Sequence, residues 1–65
     1  RYSIDSTMEE LLNHPDIRAF LSQMVEVDMI PDIAYGLSLR DVAKTFAGEI
    51  KPDEAQMLDK ALAKF

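Results

Sequence analysis

Residues 15–27, PDIRAFLSQMVEV, decide the fold. Ile17, Phe20, Leu21, Met24 and Val25 recur at i, i+3, i+4, i+7 and i+8, the apolar stripe of a helix lying against a core. Arg18, Ser22, Gln23 and Glu26 fill the opposite face. Pro15 suits the start, because its missing N–H is one that a first helical turn leaves unpaired anyway. No other segment carries so dense a stripe, so the shorter elements on either side must pack on it.

Toward the N-terminus, Tyr2 and Ile4 give a short lead-in two apolar side chains to bury. Ser6-Thr7-Met8-Glu9 then reads as a capping box, the Ser6 hydroxyl taking the Glu9 amide and the Glu9 carboxylate reaching back. A helix over about residues 7–13 turns Met8, Leu11 and Leu12 inward. Two or so turns do not persist in water alone, so this helix exists only if docked. Asn13-His14-Pro15 ends it, since the residue before a proline is pushed out of the α region.

Toward the C-terminus, the organising helix fades around Val27–Asp28, with Pro31 preventing its continuation, and Pro31–Tyr35 make one helical turn started by the proline and closed by Gly36. Ser38 fits an N-cap with Asp41 at N3, and Leu37 and Val42 form a hydrophobic staple. The helix that follows, about 39–46, is expected to bury Leu39, Val42, Ala43 and Phe46 before Gly48 stops it. Pro52 opens a last helix, about 52–64, with Asp53 and Glu54 at its positive end and Lys60 and Lys64 at its negative end. Ala55, Leu58, Ala61, Leu62 and Phe65 give that helix its apolar face. No alternating β-branched run occurs, so no sheet is expected. The predicted fold class is all-α: one domain over residues 1–65, a compact bundle of three main helices plus a short helical turn.

Sixty-five residues bury only about 60% of their unfolded surface, which leaves a thin margin of stability. The chain has no cysteine and one histidine, which removes disulfide frameworks, thiolate metal sites and multi-histidine clusters. Helix packing must then supply the stability, and 48% hydrophobic content is enough for it. A net charge of −5 works against non-specific nucleic-acid or anionic-lipid binding. No apolar run approaches membrane-spanning length. Arg1–Ser6 holds no apolar signal core and no initiator Met opens the chain, so the expectation is a piece of a longer polypeptide of open compartment.

Histidine is the side chain type that titrates near neutrality, which makes His14 the candidate general base. It has Asp16 two residues on and no nucleophile in an evident partnership, so a backbone hydrogen bond at the helix corner is the expected use. The carboxylates Glu9, Glu10, Glu26, Asp28, Asp32 and Asp53 follow no calcium-loop spacing and read as a solvated surface. No catalytic, metal or cofactor site is expected. Met8 and Met24 read as core filler, whereas Met29 and Met57 fit the stripes poorly and suggest exposure. The candidate interaction surface is therefore Met29, Ile30, Tyr35, Leu37 and Met57. Residues 39–62 also have the look of a helix-turn-helix, but its second helix would present Pro52, Asp53 and Glu54 to DNA, which brings almost no donors.

Taken in order, YSIDS, MEELLNHPDIRAFL, GLSLRDVA and IKPDEAQMLDKALAKF cover nearly the whole chain. That sequence of motifs resembles small α-helical modules attached to the C-terminal side of bacterial hydrolases, among them glycoside hydrolases and esterases. Residues 26–35 depart most from the pattern. The resemblance implies a non-catalytic accessory module that acts by domain packing, self-association or partner docking, and it transfers no catalytic residues. The partner expected is a protein: a neighbouring catalytic domain, a second copy or a peptide. TMEELLNHPDI also resembles short helical domains in which this corner precedes cysteines, absent here. The alternative function is a stand-alone peptide-binding module similar in architecture to ubiquitin-associated domains, whose Met-Gly-apolar first loop is missing here.

Overall fold

The structure is a computed structural model that describes residues 1–46 and 48–65. It contains α1 (Met8–Leu12), α2 (Pro15–Ser22), α3 (Leu39–Phe46) and α4 (Pro52–Leu62), with 3-10 turns at Val27–Met29 and Asp32–Gly36. The described residues hold no strand, only an isolated antiparallel bridge between Thr7 and Ser38. The all-α bundle read from the sequence is the fold observed.

The core is built from Ile4, Met8, Leu11, Ile17, Leu21 and Leu62, each essentially inaccessible, with Leu12, Val27, Ala34, Leu39 and Val42 around them. Tyr2, Phe20, Ile30, Tyr35, Ala55 and Leu58 pack against this cluster from its margin. No buried side-chain N or O lacks a hydrogen-bond partner among the described residues.

The first cap sits one residue later than the sequence suggests. Thr7, not Ser6, is the N-cap: its Oγ1 accepts the Glu10 amide at 3.2 Å, and the Glu10 carboxylate accepts the Thr7 amide at 3.1 Å. Ser6 is occupied elsewhere, because its Oγ accepts the Ser3 amide at 3.0 Å and its carbonyl accepts the Leu39 amide at 3.2 Å. The lead-in is thereby stitched to the start of α3, and the Arg40 amide donates to the Ile4 carbonyl at 2.9 Å. These two bonds satisfy amides that the first turn of α3 leaves without helical partners. Met8 is treated the same way, donating its amide to the Leu37 carbonyl at 2.8 Å.

The organising helix is shorter than its stripe. α2 ends at Ser22, whose hydroxyl donates to the Ala19 carbonyl at 2.7 Å and competes with the helix ladder. The Gln23 and Met24 amides tighten onto the Phe20 and Leu21 carbonyls, three residues back. The chain then swings so that Val27 enters the core, and Arg18 meets Asp28 at 2.6 Å across the turn. Met24 and Val25 are left in the open, contrary to the core role the spacing assigned them.

α3 starts as read, the Ser38 Oγ accepting the Asp41 amide at 3.1 Å. Leu39 and Val42 are buried, Ala43 is half-buried, and Phe46 is exposed rather than core, standing at the last position of α3. Leu37 is exposed as well, so it makes no buried staple for Val42. Gly48 adopts φ 87°, the left-handed conformation expected of a residue that closes a helix. α4 runs to Leu62, two residues short of the expected Lys64, within the usual blur of helix ends. At its start the Glu54 carboxylate accepts the Lys51 amide at 3.3 Å.

Candidate interaction surface

His14 is placed by the corner it terminates. Pro15 holds α2's first turn, and the His14 Nδ1 accepts the Ile17 amide at 3.4 Å as the helix N-cap. The same ring lies edge-on to Tyr2, with centroids 5.4 Å apart, and to Phe65 at 5.7 Å. Phe65 in turn tilts against Phe20 at 5.8 Å. Four rings thus run from the N-terminal lead-in across the α1–α2 corner to the C-terminal end. The imidazole is committed to a cap and to packing, and among the described residues no Ser, Asp or Glu side chain hydrogen-bonds it.

One surface pair, Arg40 with Asp5, shifts the titration of both its members. Arg40 Nε donates to Asp5 Oδ1 at 2.9 Å, which holds the Asp5 carboxyl below the usual carboxylate range and raises the Arg40 guanidinium. Both side chains lie at the surface, so the pair tunes the surface rather than building a reactive centre. Among the described residues, no group of three or more His, Cys, Asp or Glu side chains is placed to hold a metal ion.

Exposed apolar side chains gather instead. Met29 is 77% exposed, Met57 71%, Phe46 62% and Met24 52%, and all four edge two neighbouring hollows. The larger, about 570 Å³, lies between the end of α2, the face of α3 and the inner side of α4. Its floor is Leu21, Leu39, Ala43 and Leu58. The smaller, about 360 Å³, lies between α3 and residues 25–31, over Met8 and Val42. Val25, Leu39 and Ala43 line both, so the two form one trough.

Of the surface residues that the sequence suggests, Met57 lines the larger hollow, and Met29 and Ile30 line the smaller. Tyr35 is half-buried against the core, and Leu37 is exposed away from the trough. Sequence reading missed Met24, Val25 and Phe46, because their helical spacing is that of core residues. It also missed Ile33, 88% exposed on the Asp32–Gly36 turn, which lines neither hollow. The signal for Met24 and Val25 was Ser22, a helix-weakening residue in mid-stripe. Among the described residues, no helix is long and apolar enough to cross a membrane. Comparison with protein-family models, with curated proteins and with solved structures gives no match for this chain.

Proposed function

We propose that this chain is a non-catalytic accessory module that serves a larger hydrolase-type enzyme, and that it does so by docking through the trough beside α3. One observation carries this reading: five of the eight large hydrophobics left exposed among the described residues, Met24, Val25, Met29, Phe46 and Met57, edge that one trough. Scattered exposed apolar residues need no explanation, but a gathered, concave set is what docking surfaces offer. Support also comes from His14, whose lone pair and ring are committed to a cap and to packing. The order of the four motifs, YSIDS through IKPDEAQMLDKALAKF, supports attachment to a hydrolase of bacterial type.

A stand-alone peptide-binding module is the second reading, favoured by Met29 and Met57, since exposed thioethers adapt to varied apolar partners. Two measurements on the chain test the proposal. Nitrophenyl esters and glycosides should turn over no faster with the chain than in buffer, and clear turnover would remove the non-catalytic reading. Light scattering over a concentration series should then give one molar mass if the trough serves another protein. A mass that doubles with concentration would assign the trough to self-association.

A further inference from the structure

The trough has a charge as well as a shape. Among the described residues that line it, the only charged ones are Glu26, Glu49 and Glu54; no Lys, Arg or His contributes. The chain as a whole carries −5. An occupant must therefore bring an apolar ridge and positive flanks. A second copy meeting this face across a two-fold axis would set the same three carboxylates against each other. An anionic membrane surface is repelled for the same reason.

The backbone narrows the occupant further. Among the described residues no strand lines the trough, so no open strand edge is offered to an extended peptide. A helix needs only side-chain contacts. The molecule measures 26 × 25 × 19 Å, so a helix laid across it makes contact over at most about 17 residues at 1.5 Å per residue. Three to four turns place ridge residues at i, i+3 or i+4, i+7 and i+11, enough to span both hollows.

Building on the docking reading above, we propose that the trough receives a cationic amphipathic helix from a partner protein. Its apolar ridge seats on Val25, Leu39 and Ala43, and its lysines or arginines face Glu26, Glu49 and Glu54. The three exposed methionines at the margins let the walls adjust to ridges of different shape.

Three fluorescein-labelled helical peptides of about 14 residues test this, all with one Leu ridge at helical spacing and with Lys, Gln or Glu on the flanks. Anisotropy with the full chain should show the Lys peptide binding most tightly and the Glu peptide most weakly. The Lys affinity should fall about tenfold or more on raising salt from about 0.05 to 0.5 M. A variant carrying Glu26→Gln, Glu49→Gln and Glu54→Gln should lose about tenfold for the Lys peptide and nothing for the Gln peptide. The amide oxygen introduced by Glu54→Gln still offers an acceptor to the Lys51 amide, so the start of α4 keeps its cap. Amide shift changes should map to the trough. Equal binding of all three peptides overturns the charge assignment and leaves docking intact. Binding of none, with the fold verified by circular dichroism, overturns the docking reading itself.

Discussion

Phe20 and Leu21 are neighbours on α2 with different surroundings. Leu21 is essentially inaccessible, while Phe20 is half-buried, with its ring tilted against Phe65 near the C-terminus. By size alone Phe20→Ala would be the costlier change, at about 3–5 kcal/mol for a fully buried ring. Partial exposure reverses the order: Leu21→Ala should cost about 3–4 kcal/mol and Phe20→Ala about 2. Urea unfolding of both variants checks this, and a larger loss for Phe20 would contradict the burial pattern. Asp5 makes a prediction in pH. The hydrogen bond from Arg40 lowers its pKa in the folded chain, desolvation opposes that, and the charge of Arg40 adds to the lowering. A lowered folded pKa means the contribution is whole above the unfolded value, about 3.9, and is lost as pH falls through the folded value. The gap in Tm between the parent chain and Asp5→Asn should therefore be constant from about pH 5 to 8 and close below about pH 4. A gap that persists in acid would show that the substitution disturbs something other than this pair.

At the scale of elements, helix starts were legible and helix ends were not. Pro15, Ser38 and Pro52 each announce a helix by a local rule, and each helix begins where the rule places it. The first helix slipped by one residue because Ser6 and Thr7 are equally good caps; what chose between them was the pairing of the lead-in with the start of α3, a contact between residues more than thirty apart. The end of α2 was hidden for a similar reason, since burying Val27 requires a turn that the Met24–Val25 stripe argues against. The trough is half legible: Met29 and Met57 break the helical pattern and so stand out in the sequence, whereas Phe46 fits the pattern of a core residue. The capping assignment gives a clean contrast. Glu9 and Glu10 are both exposed in the first turn of α1, where the helix dipole acts on both. Only Glu10 returns a bond to the N-cap amide. Glu10→Ala should thus destabilise by about 0.5–1 kcal/mol more than Glu9→Ala in parallel thermal melts. A larger loss for Glu9→Ala would place the cap back at Ser6, and equal losses would mean that the Glu10 carboxylate adds nothing beyond the dipole.

For the whole molecule, α4 places one residue in the core where α1 places three and α2 and α3 two each. α1 and α2 pack on each other and on the 3-10 turns through several fully buried residues. α4 contributes a single one, Leu62, with Ala55, Leu58 and Ala61 half-buried along its length. Its other tie is polar: the Asp59 carboxylate accepts the Ile4 amide at 2.8 Å, joining the last helix to the lead-in that also pairs with α3. An element with little buried apolar surface opens at lower free energy than the global transition. Native-state hydrogen exchange should therefore find α4 amides exchanging through a local opening, ahead of the amides of α1 and α2. Asp59→Ala removes the tie while leaving the apolar face intact, so it should speed exchange in α4 and at Ile4 by about tenfold and leave α2 nearly unchanged. The opening bears on the trough, because Met57 and Leu58 form its α4 wall. A ligand seated there should slow the α4 exchange in proportion to its occupancy. Uniform exchange of α4 and α2, with or without Asp59, would mean that the bundle opens only as a whole and that the trough has fixed walls.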